Sequence, residues 1–105
     1  MKIIKRSGAE AVFDISKIIT AIDKANHEVV QGERLTMEEI HDIAQYIEDA
    51  GADMRRSLNV EEIQDLVEDR IMDKRAFSVA RKYITYRYQR ALVRKSNSTD
   101  EQILS

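Results

Sequence analysis

Apolar residues form two short runs at the start of the chain and then recur every three to four positions. The runs are Ile3–Ile4 and Val12–Phe13, and Gly8 lies in the turn between them. Two short apolar runs around a glycine-containing turn predict a β-hairpin over residues 1–14. The later recurrence matches the 3.6-residue period of amphipathic helices, so four helical segments are predicted after the hairpin.

The first two helices have clear starting and ending signals. The first is predicted to begin near Ser16 and to end between Glu28 and Gly32. The second is predicted to begin at Thr36, because a glutamate three residues later completes a capping box, and to end at Gly51. The apolar positions expected to be buried are Ile18, Ile19, Ile22 and Ala25 in the first helix and Ile40, Ile43, Ala44 and Ile47 in the second.

Residues 52–58 lack helical spacing and precede a third helix. They are predicted to form either a loop or a third strand beside the hairpin, since a two-stranded hairpin alone is marginally stable in water. Asn59, followed three residues later by Glu62, provides the capping box of the third helix. Its expected buried positions are Val60, Ile63, Leu66, Val67 and Ile71.

The fourth helix is predicted to extend from about Arg75 to Lys95 and is strongly basic. A polar, turn-prone segment, Ser96–Asp100, follows it. We therefore expect a domain over residues 1–95, with residues 96–105 as a linker and the start of a following region, so that the chain is a fragment of a longer protein. The apolar side chains expected on one face of this helix are Phe77, Ala80, Ile84, Ala91 and Leu92, flanked by Tyr83, Tyr86 and Tyr88.

Composition excludes several classes of function. The net charge of the 105 residues is −2, whereas nucleic-acid-binding domains usually carry a basic excess, so no nucleic-acid partner is expected. The absence of cysteine excludes disulfides, zinc–thiolate sites and thiol nucleophiles. His27 and His41 are too far apart in sequence to predict a metal site. No apolar run approaches the roughly 18 residues of a membrane span and no signal peptide opens the chain, so we expect a cytoplasmic protein without a membrane partner.

No catalytic motif is present in the sequence. The chain lacks a Walker-type phosphate loop, a G-x-G-x-x-G motif and a recognisable serine–histidine–carboxylate arrangement. The acidic pairs Glu38–Glu39 and Glu61–Glu62 lie in the first turns of predicted helices, where negative charge interacts favourably with the helix dipole. We therefore predict no catalytic residues and no enzymatic activity for this chain.

The hairpin turn and the start of the first helix are the candidate binding region. Lys5 and Arg6 lie on the turn, and Lys17 lies near the helix start. Cations beside backbone N–H groups and the N-terminus of a helix suit a polyphosphate ligand. The alternative interpretation is a solvated basic turn without a ligand.

Four short motifs follow one another in the chain: IIKRSG at residues 3–8, VFD and SKI at residues 12–18, VEEIQDLVE at residues 60–68 and YITYR at residues 83–87. In this order they resemble the motifs of the ATP-cone domain, and the resemblance covers residues 2 to about 95. The last motif and the tail that follows it look most like the anaerobic (glycyl-radical, class III) ribonucleotide reductases, in which the cone precedes the catalytic barrel.

The resemblance implies an α+β fold: a four-helix bundle capped by a small three-stranded β-sheet, with an adenine nucleotide bound between cap and bundle. In that family ATP switches ribonucleotide reduction on and dATP switches it off. The resemblance also implies ATP or dATP as the effector, accompanied by Mg²⁺. Its further implied partners are the catalytic domain of the same polypeptide and other copies of the chain in a nucleotide-dependent homo-oligomer.

The resemblance assigns binding roles by position. Lys5, Arg6 and Lys17 would contact the phosphates. Asp14 would either accept a hydrogen bond from a ribose hydroxyl or only fix the start of the first helix. The base and ribose pocket would consist of Ile3, Ala11, Val12, Phe13, Asp14, Ile18 and Gln64, with Val60, Arg81 and Arg87 as additional candidates.

Two other functions remain open from the sequence. The first is a transcriptional repressor that senses nucleotides with the same cone, although such regulators carry an N-terminal zinc ribbon and this chain has no cysteine. The second is a helical module without a ligand, whose basic fourth helix docks an acidic partner. Removal of Lys5 and Arg6 should abolish nucleotide binding, whereas charge reversal of Arg87 and Arg90 should impair docking.

Overall fold

The computed structural model describes residues 2–4, 8–53 and 58–104, and the side chains of these residues except Asp53 and residues 94–104. Within these ranges the chain forms four α-helices and a three-stranded sheet, which confirms the predicted α+β fold. In chain order the elements are β1 (Lys2–Ile4), β2 (Glu10–Val12), α1 (Ser16–His27), a short 3₁₀ turn (Gln31–Glu33), α2 (Met37–Asp53), β3 (Leu58–Asn59), α3 (Val60–Asp73) and α4 (Phe77–Leu104).

β1 is the central strand of the sheet. It pairs antiparallel with β2, where Ile3 lies opposite Ala11, and parallel with β3, where Ile3 lies opposite Leu58. The predicted hairpin is therefore confirmed, and Leu58–Asn59 forms the third strand that was one of the two alternatives for residues 52–58. Residues 54–57 lie outside the described part of the chain.

Isoleucines of the first three helices form the centre of the core. Ile22, Ile40 and Ile71 are fully buried, and Leu58 joins β3 to the same cluster. Burial of such a side chain contributes roughly 1.5–3 kcal/mol relative to leaving it exposed. These positions confirm the predicted apolar faces of α1, α2 and α3. The members of those faces that are only partly buried are Ile19, Val60 and Leu66.

Both predicted capping boxes are confirmed. Oγ1 of Thr36 accepts a hydrogen bond from the Glu39 N–H (3.1 Å), and Oε1 of Glu39 accepts one from the Thr36 N–H (3.0 Å). Asn59 and Glu62 exchange the same pair of bonds at the start of α3, at 2.8 and 3.3 Å. The predicted end of α2 is wrong, because the helix continues beyond Gly51 to residue 53. An internal glycine costs about 1 kcal/mol relative to alanine but does not prevent helical geometry.

A left-handed turn separates α3 from α4. Arg75 has a φ of 60°, and its N–H donates to the carbonyl of Met72 (2.8 Å). The N–H of Ala76 donates to the carbonyl of Ile71 (3.3 Å), which completes a Schellman motif. α4 therefore begins at Phe77, two residues after its predicted start.

The predicted buried face of α4 is wrong in part. Among the side chains of α4 that the structure describes, Val79, Ala80 and Tyr83 are buried, and of these only Ala80 was expected on that face. α4 has 28 residues and is about 42 Å long, so α1 and α3, with 12 and 14 residues, cover only part of its length. The predicted members of the face that are exposed are Phe77, Ile84, Ala91 and Leu92.

The backbone of α4 is helical as far as Leu104. It includes Ser96–Asp100, where the sequence predicts a turn, so that local prediction is wrong. The division into a domain over residues 1–95 and a following region over residues 96–105 stays a prediction.

Candidate functional site

A cleft opens between the start of α1, the first turns of α3 and the middle of α4. Its volume is about 230 Å³. Phe13 directly follows β2 and lies in the wall of the cleft, so the cleft is close to the junction of sheet and bundle. We call it the α1–α3–α4 cleft, and its lining residues are Phe13, Lys17, Ile18, Ala21, Val60, Ile63, Gln64, Tyr83, Tyr86, Arg87 and Arg90.

Helical spacing explains why these side chains share one cleft. Lys17 and Ala21 are four residues apart on α1 and therefore lie on the same face of that helix. Val60 and Gln64 have the same spacing on α3. On α4, residues 83–90 contribute side chains at intervals of three and four positions. One face of each of the three helices is thus directed at the cleft.

The cleft combines an apolar floor with a positively charged edge. Ile18, Ile63 and Tyr83 are almost completely buried and form the floor. Lys17 and Arg90 are exposed, and neither forms an ion pair within the described part of the chain. Such an arrangement can hold a ligand that has both a flat apolar part and an anionic part.

Arg87 lines the cleft, but its charge is already compensated. Its Nη1 lies 2.8 Å from Oδ1 of Asp65 and 2.7 Å from Oε1 of Glu68, and its Nη2 donates to the carbonyl of Glu61 at 3.4 Å. Burial opposes the charged form of Arg87, but the hydrogen bonds to Glu68 and Asp65 outweigh burial and raise its pKa. Arg87 therefore connects α4 to α3, and its contact with a nucleotide stays a prediction.

Tyr83 is almost completely buried in the floor of the cleft. Burial raises the pKa of Tyr83 well above its ordinary value, because the phenolate is poorly solvated there. The nearby guanidinium of Arg87 acts in the opposite direction but is the smaller effect. Tyr83 thus stays neutral across the physiological pH range and supplies apolar ring surface rather than charge.

Asp14 is engaged at the start of α1 and is not part of the cleft lining. Its Oδ1 accepts a hydrogen bond from the N–H of Ser16 at 3.0 Å. The hydrogen bonds from Ser16, helped by the charge of Lys17, lower the pKa of Asp14. This geometry matches the helix-start role considered for Asp14, while its contact with a ribose stays a prediction.

The cleft brings together six of the residues predicted to bind nucleotide, and other predicted residues lie elsewhere. Ile3 is in the core, Val12 is 80% exposed on β2, and Ala11 is on the same strand. Arg81 lines a different cleft. The six residues in the α1–α3–α4 cleft are Phe13, Lys17, Ile18, Val60, Gln64 and Arg87.

Two further predicted residues, Lys5 and Arg6, lie outside the described part of the chain. Their role as phosphate ligands therefore stays a prediction, as does the assignment of the phosphate-binding role to Lys17.

The sequence-based prediction missed five residues of the cleft. Four of them lie three or four positions from a residue that was predicted, so helical spacing was the signal that would have found them, whereas Tyr86 directly precedes Arg87. Tyr83 and Arg90 flank Arg87 in this way, and Ala21 follows Lys17 by one turn. The missed residues are Ala21, Ile63, Tyr83, Tyr86 and Arg90.

The lining of the cleft does not fit a magnesium site of its own. Mg²⁺ is usually bound by carboxylates together with phosphate oxygens and water. No aspartate or glutamate is among the lining residues. Within the described residues, no group of three or more histidine, aspartate or glutamate side chains is arranged to hold a metal ion.

Within the same residues, no helix is long and apolar enough to cross a membrane.

Comparisons with known proteins give a family and several relatives. Residues 1–92 match the ATP cone domain family. The chain is 36% identical over 106 aligned positions to the ribonucleoside-diphosphate reductase subunit alpha of Chlamydia pneumoniae, covering 95% of this chain and 10% of the relative.

Two differently named reductases have similar identities. The anaerobic ribonucleoside-triphosphate reductase of Haemophilus influenzae is 36% identical over 97 positions, covering 91% of this chain and 13% of the relative. The vitamin B12-dependent ribonucleoside-diphosphate reductase of Thermoplasma acidophilum is 37% identical over 99 positions, covering 90% of this chain and 12% of the relative. The chain thus spans between 10% and 13% of the length of these three relatives.

Proposed function

The chain belongs to the ATP-cone domain family, and we propose that it is a non-catalytic regulatory domain that binds an adenine nucleotide in the α1–α3–α4 cleft. The observation that carries this proposal is the apolar floor beside two cations, Lys17 and Arg90, that form no ion pair in the described part of the chain. Adenine has flat apolar faces and a triphosphate is a strong anion, so the two surfaces match the two parts of the ligand.

We assign the base and sugar to the interior of the cleft and the phosphates to its edge. The volume of about 230 Å³ is below the roughly 300–1,000 Å³ of a pocket that encloses a drug-sized ligand, so the nucleotide is only partly enclosed. Phe13 and Tyr86 offer aromatic surface to the base. Lys17 binds the phosphates, together with Lys5 and Arg6 from the hairpin turn.

The finer proposal is that ATP activates, and dATP inhibits, an anaerobic ribonucleotide reductase. The two nucleotides differ only in the ribose 2′-hydroxyl. Gln64 is half-buried in the cleft, and its amide can both donate a hydrogen bond to that hydroxyl and accept one from it. A nucleotide that binds one domain arrangement more tightly shifts the population toward that arrangement, by no more than the difference in affinity.

The anaerobic assignment is supported by the YITYR motif at residues 83–87 and by the Haemophilus influenzae relative, whose name is anaerobic ribonucleoside-triphosphate reductase. We propose that the catalytic domain of the same polypeptide is the partner whose activity changes, and that nucleotide also changes the association of copies. The protein would act in the cytoplasm. Any Mg²⁺ would arrive on the triphosphate, because the cleft lining supplies no carboxylate.

Isothermal titration calorimetry with ATP and dATP tests the proposal. We expect saturable binding of both nucleotides to the unsubstituted chain. Lys17→Glu should weaken binding by about tenfold or more, equivalent to about 1.4 kcal/mol, because it places a negative charge beside the phosphates.

Lys82→Glu is the matched control for this test. It makes the same charge change at an exposed position of α4, outside the lining of the α1–α3–α4 cleft, and should bind both nucleotides like the unsubstituted chain. Circular dichroism would verify that every variant is folded. Flat titrations with folded, unsubstituted protein would contradict the proposal.

A further inference from the structure

A second cleft lies at the corner where α3 meets α4, and we call it the corner cleft. Its volume is about 460 Å³, and it shares no lining residue with the α1–α3–α4 cleft. Cations outnumber carboxylates by two in its lining, although the chain as a whole has a net charge of −2. Its charged lining residues are Arg34, Lys74, Arg75, Arg81, Glu33 and Glu39.

Two of the cations have no compensating charge. Arg75 and Arg81 are exposed, and neither side chain forms an ion pair within the described residues. Arg75 comes from the turn after α3 and Arg81 from the second turn of α4, so the two guanidinium groups approach the corner cleft from different segments. A guanidinium group can bind two oxygens of one phosphate in parallel, which makes arginine the side chain best suited to this anion.

The other two cations are held in place by neighbouring groups. Nε of Arg34 donates to the carbonyl of Val29 at 2.8 Å, and its Nη2 donates to the carbonyl of His27 at 3.1 Å. These acceptors are neutral, so they fix the guanidinium without cancelling its charge. Nζ of Lys74 is 4.0 Å from Oδ2 of Asp42, which is the outer limit of an ion pair.

The two carboxylates of the corner cleft are bound to hydrogen-bond donors of the protein. Oε2 of Glu33 accepts a hydrogen bond from Oγ of Ser78 at 3.1 Å. Oε1 of Glu39 accepts one from the N–H of Thr36, within the capping box of α2. Their hydrogen bonds thus hold both carboxylates at helix starts, while Arg75 and Arg81 stay available.

We propose that the corner cleft binds a small phosphate-bearing anion, with Arg75 and Arg81 as its direct ligands and Arg34 as a fixed positive charge beside them. This site is separate from the proposed nucleotide site and does not depend on it. The free inorganic anion and the phosphate group of a small metabolite share the same recognition chemistry. An acidic protein segment is a different class of ligand, and the concave shape of the cleft favours the small anion.

Titration of the ¹⁵N-labelled chain with inorganic pyrophosphate, followed by NMR at constant ionic strength, tests this proposal. We expect saturable shifts of amide signals around Arg34 and in residues 74–81. A parallel titration with ribose 5-phosphate distinguishes a phosphate ester from the free inorganic anion. Arg81→Gln changes an exposed helical position and should weaken binding by about tenfold without unfolding the chain. Lys17→Gln is the control and should leave these shifts unchanged.

Three results would overturn the inference. Saturable shifts confined to residues near Lys17 would assign the anion to the α1–α3–α4 cleft. Shifts that rise linearly, and equally with chloride, would show only screening of surface charge. Binding of a poly-glutamate peptide at the corner cleft, without saturable binding of either phosphate compound, would identify a protein partner instead.

Discussion

Arg75 has the left-handed backbone conformation that most Schellman motifs assign to glycine. Its Cβ is crowded there, and the conformation costs a residue with a side chain roughly 1–2 kcal/mol. Arg75→Gly should therefore raise the free energy of unfolding by about 0.5–1 kcal/mol, the rest being offset by the greater freedom of glycine in the unfolded chain. Urea denaturation followed by circular dichroism measures this change.

The neighbouring residue provides the control for this prediction. Lys74 has a φ of −82°, an ordinary value for a residue with a side chain. Lys74→Gly should lower stability, since glycine gains freedom in the unfolded chain and relieves no strain in the folded one. Equal effects of the two substitutions would show that the left-handed conformation of Arg75 is not costly.

Asp14 should make the stability of the chain depend on pH in the acid range. Hydrogen bonds from Ser16 lower its pKa below the ordinary 3.8, so the folded state favours the carboxylate. Its contribution to stability is then present above pH 3.8 and is lost as pH falls through the lower pKa of the folded state. The difference in urea midpoint between the unsubstituted chain and Asp14→Asn should accordingly be positive at pH 7 and shrink toward pH 2.5. A difference that grows on acidification would contradict this assignment.

Single site residues differ in how far the sequence could predict them. Phe13 and Lys17 were predicted because they stand beside a local signal, the passage from the hairpin to the first helix. Arg87 is predicted as a nucleotide contact, and no sequence pattern indicates that Asp65 and Glu68 bind it. Those partners are 22 and 19 residues away in the chain, so the pairing depends on how α3 packs against α4.

At the scale of helices and strands, the predicted starts of α2 and α3 succeeded because their determinants are local. The capping boxes at Thr36 and Asn59 use residues three positions apart, and both starts are confirmed. The buried face of α4 depends instead on which neighbours cover it. Phe77 and Ile84 are more apolar than Tyr83, yet Tyr83 is the one that faces α1 and α3 and is buried. Apolar character alone therefore does not reveal which side chains of α4 are buried.

The hydrogen bonds of Arg87 with Asp65, Glu68 and the carbonyl of Glu61 connect α4 to α3. Glu68 is 18% exposed and Arg87 is 22% exposed. Arg87→Met would keep much of the packing volume but leave the carboxylate of Glu68 without its strongest partner. We expect the free energy of unfolding to fall by about 1–3 kcal/mol, the usual cost of a partly buried polar group that loses its hydrogen bond.

Arg90→Met is the matched control for this substitution, because Arg90 is exposed and forms no ion pair in the described part of the chain. Arg90→Met should change the free energy of unfolding by no more than about 0.5 kcal/mol. A double-mutant cycle with Glu68→Gln would isolate the coupling between Arg87 and Glu68. A coupling energy of zero would show that the contact between Arg87 and Glu68 contributes nothing to stability.

At the scale of the whole molecule, the α1–α3–α4 cleft joins parts of the chain that are far apart in sequence. Its walls come from residues 13–21, 60–64 and 83–90. A nucleotide that contacts all three segments stabilises only the folded arrangement, since the unfolded chain does not bring them together. Binding should therefore be visible in the stability of the entire domain.

This linkage gives a quantitative prediction. At an ATP concentration one hundred times Kd, the free energy of unfolding should rise by about 2.7 kcal/mol. Lys17→Glu, with a Kd about ten times higher, should show a rise of only about 1.4 kcal/mol at the same ATP concentration. Urea denaturation at fixed ATP measures both values, and Lys82→Glu should show the full increase. If ATP stabilised the two charge-reversal variants equally, its effect would come from general surface charge, and the placement of the phosphates beside Lys17 would be wrong.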